Sequence, residues 1–218
     1  MEKTSGKIYG FIGPAKGGKS YQLNQLQDLA IGEERDFIQA DFSDGIRQTV
    51  LNIFGTTECG VDLLSPCYSQ WKEMEQKFTI PVGSSLATSG IKGREILKNV
   101  GEYLKTLAGE DVWARWTGND ICRQYWNLEN DSKRKDCIIA FGSVRFGVEV
   151  NMVFTIAKLL NKEVELRFCN YQNVNFDPNV HISESLGHQL ILRGHKDGDD
   201  VTASIREMFN SKSSCKRN

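Results

Sequence analysis

The octet GPAKGGKS, residues 13–20, constrains this chain more than any other stretch. It follows the apolar run IYGFI (8–12) and leads into YQLNQLQDLAI (21–31). Gly13, four further residues, then Gly18, Lys19 and Ser20 fit the phosphate-loop pattern G-x-x-x-x-G-K-S/T. Each part has a physical reason. Glycines such as Gly13, Gly17 and Gly18 allow positive φ and let backbone N–H groups approach a phosphate closely. A lysine at position 19 can reach the β and γ phosphates, and the Ser20 hydroxyl can ligate Mg²⁺. Context adds weight to the pattern. Residues 8–12 read as a buried strand, and 19–31 as a helix with Leu23, Leu26, Leu29 and Ala30 on one side. Strand, loop and helix N-terminus together aim donors at an anion. The octet therefore reads as a nucleotide-binding loop.

Alternation of strands and helices continues along the chain. RDFIQADF (35–42) reads as strand 2 and DGIRQTVLNIFG (44–55) as a helix. An irregular stretch over 56–89 carries one helix near 67–77 and is expected to act as a mobile flap. Residues 90–108 and 110–128 are amphipathic helices, followed by KDCIIAFG (135–142) as strand 3 and residues 148–161 as a helix. EVELRFC (163–169) reads as strand 4, HQLILRG (188–194) as strand 5, and residues 200–210 as a closing helix. This order predicts an α/β three-layer sandwich of P-loop NTPase type, with a mainly parallel five-stranded sheet and helices on both faces. Ligands then bind beyond the carboxyl ends of the strands, which brings the loops after residues 12, 42 and 142 to one site. The expected organisation is a single domain over 1–218, with 56–134 as a helical, acceptor-binding insertion.

Composition removes several function classes. A formal net charge of -1 provides no basic field for nucleic acid, and the basic tail SKSSCKRN is short. No run approaches the roughly 18 apolar residues that span a bilayer, and MEKTSGK does not read as a signal peptide. The six cysteines form no C-x-x-C pair and no zinc-ligand spacing with the three histidines, so they read as reduced thiols of a cytoplasmic protein. Base-reading N-K-x-D and phosphate-sensing D-x-x-G motifs of GTPases are absent, and CIIAFG ends in Gly142 where a Walker-B strand ends in acid. Arg47, Arg94 and Arg145 stand instead at predicted helix starts and strand ends. Guanidinium forks there suit a reaction that brings two phosphorylated molecules together.

At these residues the chain resembles the bacteriophage deoxynucleoside monophosphate kinases of the P-loop nucleoside monophosphate kinase group. FSDGIRQTVLNIFG (42–55) resembles the family's F-A-D-P-L-K segment, with Asp44 and Arg47 at its acidic and basic positions. GREILKNVGEYL (93–104) with DVWARW (111–116) is similar to its G-R-x-L-x-x-x-G-T-E helix and following Asp-x-Trp. IIAFGSVRFGVEVNMV (138–153) resembles its strand ending in D-V-R-F-x-N-E, and HISESL (181–186) its H-x-S-E segment.

The resemblance implies transfer of the γ-phosphate of ATP to a (deoxy)nucleoside monophosphate, with Mg²⁺. It assigns Gly13, Lys16, Gly17, Gly18, Lys19, Ser20 and Tyr21 to ATP, with Ser20 on the metal. Asp44, Arg47, Arg94, Glu102, Trp113, Ser143, Arg145 and Glu149 fall to the acceptor, and Lys19 and Arg145 to catalysis. Partners would be small nucleotides, with no nucleic acid or membrane; a homodimer is compatible, and a viral protein would work in the host cytoplasm. Two positions depart from the pattern: Ser143 replaces an aspartate, and Glu102 stands where threonine is expected. Trp113 reads equally as core, Glu149 as an ordinary first-turn acid, and His181 with Glu184 as a capped turn. The alternatives are a P-loop kinase of another small phosphorylated metabolite and a non-catalytic nucleotide-binding or sensing relative.

Overall fold

The computed structural model describes residues 6–54, 75–76 and 91–214. The chain divides into two compact units, Met1–Phe42 with Thr117–Asn218, and Ser43–Trp116. In chain order the first unit opens with β1 (Ile8–Ile12), α1 (Lys19–Gly32) and β2 (Phe37–Ala40). The second holds α2 (Asp44–Phe54), β3 (Glu75–Gln76), β4 (Ile91–Lys92), α3 (Gly93–Ala108) and the start of α4 (Val112–Trp126). The first unit resumes with the rest of α4, then α5 (Asp131–Asp136), β5 (Ile138–Phe141), α6 (Gly147–Leu160) and β6 (Val164–Phe168). A 3-10 turn (Ile182–Glu184), α7 (Ser185–Leu192) and α8 (Thr202–Ser214) close the chain.

In the first unit β2, β5, β1 and β6 lie in that order, and every pairing is parallel. Strands buried on both faces need near-continuous apolar sequence, and IIAF of β5 supplies it. Side chains alternate across the sheet. Phe11, Ile138 and Ala140 face α1 and pack with its Leu23, Leu26 and Ala30. The opposite set, which includes Ile8, Ile12, Ile139, Phe141 and Leu166, is fully buried. On α6 Val150, Val153, Ile156, Ala157 and Leu160 recur at helical spacing and are buried, and the helix lies against β1 and β6. Helices therefore cover both faces. No helix among the described residues is long and apolar enough to cross a membrane.

The sheet has four strands, not the expected five. Residues 188–194 do not form a strand; Ser185–Leu192 is helix α7. Leu186 and Leu190, four apart, are buried together, while Leu192 is exposed. A short apolar run fits both periods, and here the helical one prevails. The free edge of β6 is paired by a loop instead. Phe168 N donates to Asp199 O at 2.9 Å, Gly198 N to Phe168 O at 2.8 Å and Val201 N to Leu166 O at 2.8 Å. Strand 3 also begins later than residue 135, because the Asn130 side chain accepts from Lys133 N at 2.9 Å and starts α5.

In the second unit α2 packs against α3. The expected helix near 67–77 is not helical at Glu75 and Gln76, which pair antiparallel with Lys92 and Ile91. The rest of the 56–89 stretch, with its proposed flap role, lies outside the described residues, as do Cys59, Cys67 and Cys215.

At the amino ends of the strands Lys162 ties the sheet together. Its Nζ donates to the carbonyls of Gly6, Lys135 and Cys137 at 3.3, 3.0 and 2.9 Å. Its ammonium also sits 5.5 Å from the Tyr125 ring centroid. Lys162→Met keeps the stem and leaves these carbonyls without their donor. We expect a loss of about 1–3 kcal/mol of stability, read as a lower urea midpoint at unchanged m-value.

Candidate active site

The loop between β1 and α1 is shaped by its neighbours. A Cβ on Gly13 would lie 2.0 Å from the Cys169 carbonyl oxygen, and one on Gly17 2.4 Å from it. Only glycine lets the loop rest on the backbone beyond β6. Tyr171 N donates to Gly17 O at 3.0 Å and closes that contact. Lys16 (φ 59) and Gly18 (φ 94) are left-handed, which turns successive N–H groups inward as an anion nest. Lys19 opens α1, and its Nζ donates to Gly13 O at 2.8 Å and Pro14 O at 2.7 Å. Burial, with the Arg145 charge second, holds its ammonium below the usual lysine range. A cation held this way is stabilised by an arriving anion. Ser20 and Tyr21 are exposed on the first turn of α1.

The segment after β5 supplies the second cluster. Arg145 Nε donates to Ser143 Oγ at 2.7 Å, so the serine orients the guanidinium where the family pattern has a carboxylate. Glu149 Oε2 accepts from Arg145 N at 2.6 Å and Phe146 N at 3.1 Å. It thereby satisfies N–H groups at the start of α6 and shapes the backbone that carries Arg145, rather than pairing with its side chain. Burial pushes the Glu149 carboxyl up to about 7 against those two hydrogen bonds, with Asp41 adding to the rise. Arg145 and Asp41 each act electrostatically on both Lys19 and Glu149, so the segments after β1, β2 and β5 lie near one another.

Asp41 was not among the sequence-derived candidates. It directly follows β2, and one of its carboxylate oxygens is 3.9 Å from a Cβ built on Gly142. Its signal was its place at the carboxyl end of a strand, the edge on which such sheets bind ligands. Tyr171 was also missed. With Gly18, Tyr21, Gln22, Arg167 and Gly198 it lines a groove of about 490 Å³ beside α1.

The remaining candidates lie in the second unit. Asp44 and Arg47 form an ion pair one turn apart on α2. Arg94 is exposed on the first turn of α3, and Glu102 pairs with Lys105 at 3.0 Å farther along it. Trp113 is buried, and its Nε1 donates to Gly101 O at 3.2 Å. Within this unit Trp113 is a packing residue with a satisfied indole N–H.

Among the described residues no group of three His, Cys, Asp or Glu side chains could hold a metal by itself. The Ser20 hydroxyl and the Asp41 carboxylate are oxygen donors of the kind that suit Mg²⁺, which commonly takes one or two protein oxygens, substrate phosphates and water.

No protein-family model and no curated protein sequence matches the chain. Among solved structures it is similar to a mutant APS kinase of Mycobacterium tuberculosis, at 12% identity and a TM-score of 0.32 over 88% of this chain and 100% of that one. The same kinase in complex with AMPPNP and APS gives 10% identity and a TM-score of 0.32 over 87% and 96%. At that score the likeness is loose, and the functional reading rests on the loop and its surroundings.

The buried Glu149 makes stability depend on pH. Its folded pKa, about 7, lies above the ordinary 4.5, so the folded state holds the proton more tightly. That contribution is fully present below about pH 4.5 and is lost as pH rises through about 7. Glu149→Gln removes the titration. Its unfolding free energy relative to wild type, measured by urea denaturation, should rise between pH 5 and 7.5 by an amount on the order of 2–3 kcal/mol.

Proposed function

We propose that this chain is an ATP-dependent phosphotransferase that converts a (deoxy)nucleoside monophosphate to the diphosphate. The observation that carries the reading is the nest of residues 13–18, which joins β1 to α1 and has the Lys19 ammonium and the Ser143–Arg145 pair beside it. Lys19 would exchange the Gly13 and Pro14 carbonyls for the β and γ phosphates of ATP. Ser20 and Asp41 would hold Mg²⁺, which would supply charge neutralisation on the phosphates. Arg145, fixed by Ser143 and by the backbone that Glu149 braces, would meet the charge on the transferring group. An acceptor phosphate oxygen then bonds to the γ phosphorus as the bond to the β–γ bridging oxygen breaks, and ADP leaves. Such chemistry needs positioning and charge rather than a strong base.

The motif resemblance over residues 42–55, 93–104, 111–116, 138–153 and 181–186 supports a nucleoside monophosphate as acceptor. Arg94, Arg47 and Asp44 are then its candidate ligands. The groove lined by Tyr21 and Tyr171 offers flat surfaces for the donor base, since aromatic rings stack on bases. A second reading, a nucleotide-binding relative without transfer, is favoured only by Ser143 in place of aspartate.

The deciding experiment incubates the protein and Mg-ATP with a panel of nucleoside monophosphates and follows ADP. Wild type should release ADP with at least one acceptor; binding of ATP without turnover would favour the second reading. Lys19→Ala should lower kcat/KM by roughly 10²–10³-fold in a chain that still unfolds cooperatively in urea. Near-normal turnover in that variant would remove the loop from the chemistry. Asp41→Asn should lower kcat by about 10-fold or more and raise the Mg²⁺ concentration needed for half-maximal rate. An unchanged Mg²⁺ dependence would exclude Asp41 from metal ordering.

A further inference from the structure

One donor of the anion nest already has an anion on it. Ala15 N, in the middle of the loop, donates to Glu184 Oε2 at 3.0 Å. The loop's lysine is similarly occupied, since its ammonium sits on the Gly13 and Pro14 carbonyls. Two of the loop's donors, the Ala15 N–H and the Lys19 ammonium, are therefore engaged within the chain.

Helix α7 holds this carboxylate in place. Gly187, one turn beyond Glu184, touches the loop backbone: a Cβ there would lie 2.7 Å from Gly13 C and 2.9 Å from Pro14 N. Leu186, His188 and Leu190 are buried and fix the helix against the unit, and His188 Nδ1 accepts from Asp177 N at 3.0 Å. On the other side of Glu184 the 3-10 turn is capped by His181, whose Nδ1 accepts from Ser183 N at 3.2 Å. Glu184 is thereby presented to one backbone N–H from an anchored base, on a side chain whose own torsions allow other rotamers.

We propose that Glu184 is an internal stand-in for phosphate, a latch that holds the Ala15 N–H of the loop and is displaced when a polyphosphate enters. This rests on the reading of the loop as a polyphosphate site. The physical consequence is a cost of entry. A carboxylate and a phosphate compete for one N–H, and like charges this close repel. Every incoming anion must therefore break the same contact, which weakens each by a similar factor. A triphosphate, with several N–H groups and Lys19 to meet it, still binds; a single inorganic phosphate, with fewer contacts, is left with less net affinity.

The test is titration calorimetry of the full chain with inorganic tripolyphosphate and with inorganic phosphate, for wild type and Glu184→Gln. The glutamine keeps an acceptor for Ala15 N but removes the charge. The expected result is about 3–10-fold tighter tripolyphosphate binding in the variant, a gain no larger for inorganic phosphate, and an unchanged urea midpoint. Gly187→Ala, which pushes α7 off the loop, should shift tripolyphosphate affinity in the same direction if it folds. Equal, measurable tripolyphosphate affinities in wild type and Glu184→Gln would overturn the latch and leave the loop assignment intact. Weaker binding in Glu184→Gln would also overturn it, and would mean the carboxylate serves the occupied state. Failure of both proteins to bind tripolyphosphate or Mg-ATP would overturn the loop assignment itself, and the latch with it.

Discussion

The contact on which the site depends is backbone against backbone: Gly13 and Gly17 resting on the carbonyl of Cys169. The parallel pairing of β1 with β6, in register from Ile8–Val164 to Ile12–Phe168, delivers the two chains side by side at their carboxyl ends. Cys169 N donates to Ile12 O at 2.7 Å and extends that ladder one step past the strands. The loop turns back over this platform, and any side chain at 13 or 17 would lift it away. Its inward N–H groups, the direction of α1 and the placement of Lys19 all follow from that approach. The glycines thus serve packing as directly as they would serve a ligand.

Around the platform, burial acts on two of the charged groups. Lys19 is held below its usual range and Glu149 above its own, both chiefly by burial. Desolvation of this kind penalises each charged form until a partner arrives, which is how a site is poised for an ionic ligand. Ser143 fits this scheme. A carboxylate at that position would pair with Arg145 and cancel part of its charge. The hydroxyl orients the guanidinium through one hydrogen bond and leaves the charge available.

The loop, β1 and α1 were legible because each has a strong local signal: an apolar run, a glycine pattern and helical spacing within one stretch of residues. Arg145 stood out in the sequence because it follows a strand end, whereas Ser143 and Glu149 entered through the motif resemblance. What failed was the last strand. In HQLILRG the apolar residues are too few to separate a period of 2 from one of 3.6. Burial of Leu186 with Leu190, and pairing of β6 by residues 198–202 instead, settled the choice. Trp113 could be read from sequence as pocket or core, and its hydrogen bond to Gly101 makes it core within its unit.

By itself, then, the sequence determined the local devices: a nest-forming loop between a buried strand and a helix, basic residues at element ends, and an α/β alternation. These need only neighbours in the chain. Tertiary structure decided which distant groups meet the loop. Asp41 reaches the site because β2 lies beside β5, and Glu184 because α7 has no side chain at Gly187 to hold it off. Glu184 is 169 positions from the N–H it occupies. No local propensity or spacing encodes such a contact, since it exists only once the sheet order and the helix packing have brought the two segments together.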